Sequence, residues 1–111
     1  MRGKRVFGLL VTIGILGLAT PSFAGDSVRS LLDSNGCMAC HAVDQTLVGP
    51  SFKMIADRYK GKGAVDMLAK KVIDGGGGNW TSETGGAVMP PHPALSMGKA
   101  SEIVEYILSV K

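Results

Sequence analysis

Cys37-Met38-Ala39-Cys40-His41 groups two thiols and an imidazole within five residues. Two residues between the cysteines let both sulfurs reach the two vinyl groups on one edge of a porphyrin and form thioethers. The adjacent His41 can then swing beneath the ring and bind iron through an imidazole nitrogen. Cys-x-x-Cys-His is thus a haem c attachment pattern. Three other chemistries compete for the same residues. A bare Cys37/Cys40 pair could be a structural disulfide or a thioredoxin-like redox pair, but the redox motif belongs before a helix in a βαβ setting that this chain lacks. Zinc could draw on Cys37, Cys40, His41 and His92, although neighbouring Cys40 and His41 are poorly placed on one tetrahedral ion.

An iron held by His41 needs a ligand on its other side. After the first two dozen residues the methionines are Met38, Met54, Met67, Met89 and Met97. Met38 lies inside the attachment loop and cannot cross the ring. Met54 and Met67 fall at helical positions, where core packing is expected. Met97 begins the last helical stretch. Met89 sits in a long loop and precedes Pro90-Pro91, which restrict the backbone behind it. It is the expected axial thioether, and His/Met ligation favours ferrous iron and a raised potential. His92 as ligand in its place is a lesser expectation.

These residues must be carried by a small domain. Arg2, Lys4 and Arg5 precede an uncharged apolar run, Val6 to Ala19, and Ser22 and Ala24 are the small residues of a cleavage site. Residues 1–24 therefore read as a cleavable secretory signal, too short in its apolar run to span a bilayer comfortably. Residues 25–111 form the expected domain, with nine Lys/Arg balanced by nine Asp/Glu. The basic balance of the whole chain belongs to the signal. With no net charge and only Phe52, Tyr59, Trp80 and Tyr106 as aromatics, nucleic acid is excluded as a partner.

A chain of this size buries only about 60–65% of its unfolded surface, and two cysteines cannot build a multi-disulfide scaffold, so a bulky cofactor suits it. The pattern is all-α. Apolar residues recur at helical spacing over 26–35 (Val28, Leu31, Leu32), 52–59, 63–74 (Val65, Leu68, Ala69, Val72, Ile73) and 99–110 (Ile103, Val104, Ile107, Leu108). Ser51 is a candidate N-cap and Gly36 a stop. Between the last two helices, Gly75 to Gly98 reads as a long Gly- and Pro-rich loop, a length that is usually functional. Gly75–Gly78 lacks the Gly-Lys-Ser/Thr of a phosphate loop.

Cys-x-x-Cys-His-Ala (37–42), Val-Gly-Pro (48–50), Gly-x-x-x-Trp ending at Trp80, Met-Pro-Pro (89–91) and Tyr-Ile-Leu-Ser (106–109) together resemble the small bacterial class I cytochromes c of the cytochrome c-551 (c8) type. The resemblance runs from about Ser27 to Lys111. It implies about four helices wrapped around one covalently attached haem, the first and last crossing. It implies that the Pro50 carbonyl accepts the proton on the far nitrogen of His41. It also implies that Trp80 and Lys71 contact a haem propionate. Without it, Trp80 would be ordinary core and Lys71 a solvated charge. Two departures stand out. Residues 81–88 make a longer, Gly-richer stretch than in close relatives, and His92 stands where the family often has asparagine near the methionine sulfur. An exposed loop histidine is its simplest reading. A place at the Met89 edge would make the potential pH-dependent near neutrality.

The resemblance implies a periplasmic one-electron carrier, not an enzyme, since six-coordinate iron leaves no open site. Its expected partners are other redox proteins (a reductase, oxidase, peroxidase or dehydrogenase of a respiratory chain). They would dock transiently on a small apolar patch including Met38, Ala42 and Val48, with modest salt dependence and the chain a monomer. The alternatives are a five-coordinate haem gas sensor or peroxidase-like enzyme, which needs Met89 off the iron, and a periplasmic thiol oxidoreductase, which needs Cys37 and Cys40 free or bridged.

Overall fold

Five α-helices follow one another in the computed structural model, which describes residues 23–111 and, before them, only Gly3, Gly14 and Gly17. They are α1 (Phe23–Ser34), α2 (Phe52–Tyr59), α3 (Val65–Asp74), α4 (Thr81–Thr84) and α5 (Met97–Leu108), with a 3-10 turn at Cys37–Ala39. Of the expected signal, residues 1–24, only Gly3, Gly14, Gly17, Phe23 and Ala24 are described, the last two in α1, and the rest lies outside the described residues. No strand is formed among the described residues; two isolated bridges join His41 to Thr46 and Gly76 to Met89. The all-α expectation holds. The Gly75–Gly98 segment is less irregular than its composition predicts, since it contains α4 and the Gly76–Met89 pairing.

Local chemistry sets the helix ends. Ser51, in extended conformation, accepts a hydrogen bond from the Met54 N–H at 3.1 Å and so caps α2, as its position before the apolar run predicts. Ser96 caps α5 in the same way through the Lys99 N–H, also at 3.1 Å. Its cap starts α5 two residues earlier than the apolar spacing alone indicates. At the other end of the site, α1 stops because Gly36 turns left-handed (φ 68°), a conformation that costs a side-chain-bearing residue roughly 1–2 kcal/mol.

The core has two halves that share α5. Leu32 of α1, Cys37, Phe52 of α2 and Ile103 and Ile107 of α5 form one. Ala69 and Val72 of α3 with Ala100 and Val104 of α5 form the other. The two fully covered alanines leave room for α3 and α5 to approach closely. Leu95 packs against both halves just before α5 begins. α5 thus packs against α1, α2 and α3, and the space between these helices opens as one cleft. No helix among the described residues is long and apolar enough to cross a membrane.

Candidate functional site

The 3-10 turn builds the first wall of this cleft. His41 N–H donates to the Cys37 carbonyl at 3.0 Å, and Cys40 N–H to the same oxygen at 3.2 Å, so thiols and imidazole are held by one turn of backbone. Cys37 is buried and Cys40 half-buried, and neither is in a disulfide. Burial is the main influence that pushes the Cys37 thiol above its ordinary range, reinforced by nearby Cys40 and partly opposed by a backbone hydrogen bond.

Residues 42–50 then fold back beneath His41. Gly49 N–H bonds the Cys40 carbonyl at 2.8 Å, and Phe52 N–H bonds the Ala42 carbonyl at 2.9 Å. The loop presents the Pro50 carbonyl to His41 Nδ1 at 2.6 Å. A carbonyl oxygen only accepts, so Nδ1 carries the proton and Nε2 keeps the free lone pair a metal requires. Phe52 stacks beside the imidazole at 5.6 Å between ring centroids and 23° between planes. Gly49 presses on the ring so closely that a Cβ there would sit 2.6 Å from Cε1.

Met89 comes from a different part of the chain. Gly76 N–H donates to the Met89 carbonyl at 2.9 Å and Met89 N–H returns the bond to Gly76 at 3.0 Å. This reciprocal pair ties the loop to the end of α3. Gly75, buried and at φ 71°, makes the approach possible: a Cβ on it would lie 2.5 Å from the Met89 carbonyl oxygen. Met89 also packs on the Ala69, Val72, Ala100 and Val104 half of the core.

Cys37, Cys40, His41, Pro50, Lys71, Trp80 and Met89, all seven residues singled out by sequence, line the same cleft. It encloses about 1090 Å³, counting its open mouth, and Leu32, Ile55 and Val104 contribute to a largely apolar wall. Met89 is the one methionine among its lining residues. Two thiols at one wall, an imidazole with Nε2 free, a thioether on a separate segment and the side-chain-free run Gly76–Gly78 are a donor set and a surface that fit a flat, covalently held haem.

Other expectations need correction. Met67 does not pack in the core; it is 55% exposed on α3, facing away from the cleft, because the α3 stripe that α5 covers is that of Ala69 and Val72. Met54 is half-buried and accepts a hydrogen bond from Thr46 Oγ1 at 3.2 Å. His92 is not an exposed loop residue: its ring is half-buried, with Nδ1 3.1 Å from the Val72 carbonyl and Nε2 3.2 Å from that of Asn35. It does not join Cys37, Cys40 and His41 in the cleft lining, and no group of three or more His, Cys, Asp or Glu among the described residues is arranged to hold a metal ion. The zinc alternative loses its fourth ligand.

Arg58, which no sequence signal marks, organises the cleft rim. Its guanidinium lies 3.4 Å above the centre of the Trp80 ring, donates to the Asn79 carbonyl at 2.7 Å and pairs with Glu83 at 3.4 Å. The edge of Trp80 meets Tyr59 at 6.5 Å between centroids. The long 81–88 stretch is thereby tied to α2. Lys71 projects toward the same rim, its Nζ so near Gly76 that a Cβ there would be 2.9 Å away.

The family model described as cytochrome c matches residues 27–111. Cytochrome c-551 of Azotobacter vinelandii is 44% identical over 84 residues, covering 75% of this chain and 96% of the relative. Cytochrome c-551 of Pseudomonas aeruginosa is 37% identical over the full length of both chains. The crystal structure of Nitrosomonas europaea cytochrome c552 superposes with a TM-score of 0.66 at 36% identity, covering 75% of this chain and 99% of that one.

Proposed function

We propose a function from one premise: the chain belongs to the cytochrome c family, as a class I cytochrome of the cytochrome c-551 type. It is a small c-type cytochrome electron carrier whose cofactor is a covalently bound haem c. In our reading Cys37 and Cys40 form the two thioethers, His41 Nε2 is the proximal ligand and the Met89 sulfur the distal one. The haem, when bound, supplies a one-electron ferric/ferrous couple.

The remaining work falls to the chain. The Pro50 carbonyl holds His41 in one tautomer and raises the basicity of Nε2. The apolar lining excludes water from the metal and so limits the reorganisation that a change of charge would otherwise demand. Lys71 and Trp80 line the cleft, and in our reading they would contact the propionates. With His41 and Met89 both held by the iron, no open position would remain for a substrate, and the protein would pass electrons without catalysing a reaction. Residues 1–24 direct export and are removed, so the carrier, residues 25–111, works in the periplasm as a monomer. Met38, Val43, Leu47 and Val48 are each at least 40% exposed around the attachment loop, an apolar patch of the kind that supports small, transient docking. The domain has no net charge, which favours partners whose association depends only modestly on salt.

The observation that carries this reading is the meeting of both thiols, His41 and Met89 in one apolar cleft. The test is the mature holoprotein. Its alkaline pyridine spectrum should be that of a c-type haemochrome, with an intact mass of residues 25–111 plus one haem. The ferrous form should bind carbon monoxide slowly or hardly at all. Rapid, stoichiometric carbon monoxide binding would replace the carrier with a five-coordinate sensor or enzyme.

A further inference from the structure

Pro90 and Pro91 carry no N–H, so the first main-chain donor after Met89 is that of His92. It bonds the Ile73 carbonyl at 2.8 Å. The side chain adds two contacts: Nδ1 to the Val72 carbonyl at 3.1 Å, and Nε2 to the Asn35 carbonyl at 3.2 Å. Val72 and Ile73 lie in the last turn of α3, where carbonyls have no partner within the helix, and Asn35 directly follows α1. One residue therefore addresses the ends of two helices at once. Asn35 is two residues before Cys37, and His92 is three after Met89, so the ring spans the attachment turn and the segment that carries the thioether. The two ends are 57 residues apart in sequence.

We propose that His92 is a positioning residue: its ring staples the Met89 segment to the end of α1 and so sets how persistently the Met89 sulfur stays on the iron. This role rests on the reading of Met89 as axial ligand. Both partners of the ring are carbonyl oxygens, which only accept, so each contact needs an N–H: a neutral ring bonds one of the two carbonyls, a ring protonated on both nitrogens bonds both, and a ring with no N–H loses the staple. Covering two helix C-termini also explains why histidine serves here: a donor-bearing side chain suits carbonyl-rich helix ends.

The test uses the mature holoprotein in its ferric form and imidazole as the competing ligand. His92→Phe keeps a ring of similar size and removes every ring N–H; His92→Gln restores a donor of similar reach. Val110→Ala loosens the α1–α5 core away from the cleft lining and the staple and serves as the stability control. Expected is imidazole binding about tenfold tighter in His92→Phe, with the thioether-to-iron charge-transfer band weakened before any imidazole is added. Recovery in His92→Gln and unchanged imidazole affinity in Val110→Ala complete the expected result. Unaltered affinity in His92→Phe, or an equal gain in Val110→Ala, overturns the proposal. Should His92→Phe fail to mature, His92→Ala carries the same comparison with the same outcomes. A wild-type spectrum lacking the thioether band overturns the ligand reading itself, and is distinguished by appearing before any substitution.

Discussion

His41 Nδ1 donates to the Pro50 carbonyl across 2.6 Å, and this bond decides which nitrogen of the ring is free. Nine residues separate the two, and the loop between them is held by its own backbone bonds, Gly49 to Cys40 and Phe52 to Ala42. The imidazole is thus oriented by a frame of backbone bonds, with Phe52 stacked beside it and Pro50 buried behind. An orientation held by the protein lowers the ordering cost of ligation.

Gly49→Ala tests that frame. Its Cβ would lie 2.6 Å from His41 Cε1, 3.0 Å from Nδ1 and 3.1 Å from Nε2, so the imidazole or the loop must shift. Overpacking of this kind costs about 1–3 kcal/mol. Denaturant unfolding should show that loss, together with an altered haem spectrum. Gly98→Ala is the contrast: its Cβ meets nothing nearer than Ser96 Oγ at 3.9 Å in α5, and it should be neutral or stabilising by up to about 1 kcal/mol.

Met89→Leu removes the thioether while keeping volume, so the loop's packing on Val72 and Val104 should survive at a cost of under about 1.5 kcal/mol. The ferrous protein should then bind carbon monoxide readily. Potentiometry should find the midpoint lowered by on the order of 0.1–0.3 V, part of the ~0.8 V that axial ligands span. An unchanged potential would remove Met89 from the iron.

Arg58→Met should open the rim without touching the metal. It loses the stack over Trp80 and the bond to Asn79, together worth about 1–2 kcal/mol. Trp80 fluorescence should change and proteolysis between residues 81 and 88 should quicken. Glu83→Gln removes only a partly exposed ion pair and should cost no more than about 1 kcal/mol.

Ser51→Ala removes the cap of α2 at a site only 2% exposed. The Met54 N–H is left without its acceptor, for a loss of about 1–2 kcal/mol in thermal or denaturant unfolding. The haem spectrum should stay as in the wild type, because Ser51 acts on the helix and not on the ring.

What sequence spacing encodes is what a single turn of backbone can enforce. Cys37, Cys40 and His41 are brought together by hydrogen bonds spanning at most four residues, and Ser51 caps a helix three residues ahead. Amphipathic periodicity likewise places Leu32, Val72, Ile103 and Ile107 in the core, because a helix face is local geometry. Met67 shows the limit of that rule: it lies on α3 beside the apolar stripe, but which face α5 covers is settled by packing. α4 carries no amphipathic signal, because it is one turn long and set among glycines.

The residues that complete the cleft depend on chain crossings that no spacing encodes. Arg58 reaches Asn79 over 21 residues, and His92 reaches Asn35 over 57. The partner in each case is a backbone carbonyl, a group every residue possesses, so side-chain identity at the far end carries no signal. Cofactor chemistry was therefore legible in five consecutive residues and one loop methionine. How the cleft is closed, and what keeps Met89 in place, came only from the way α1, α2 and α3 pack around α5.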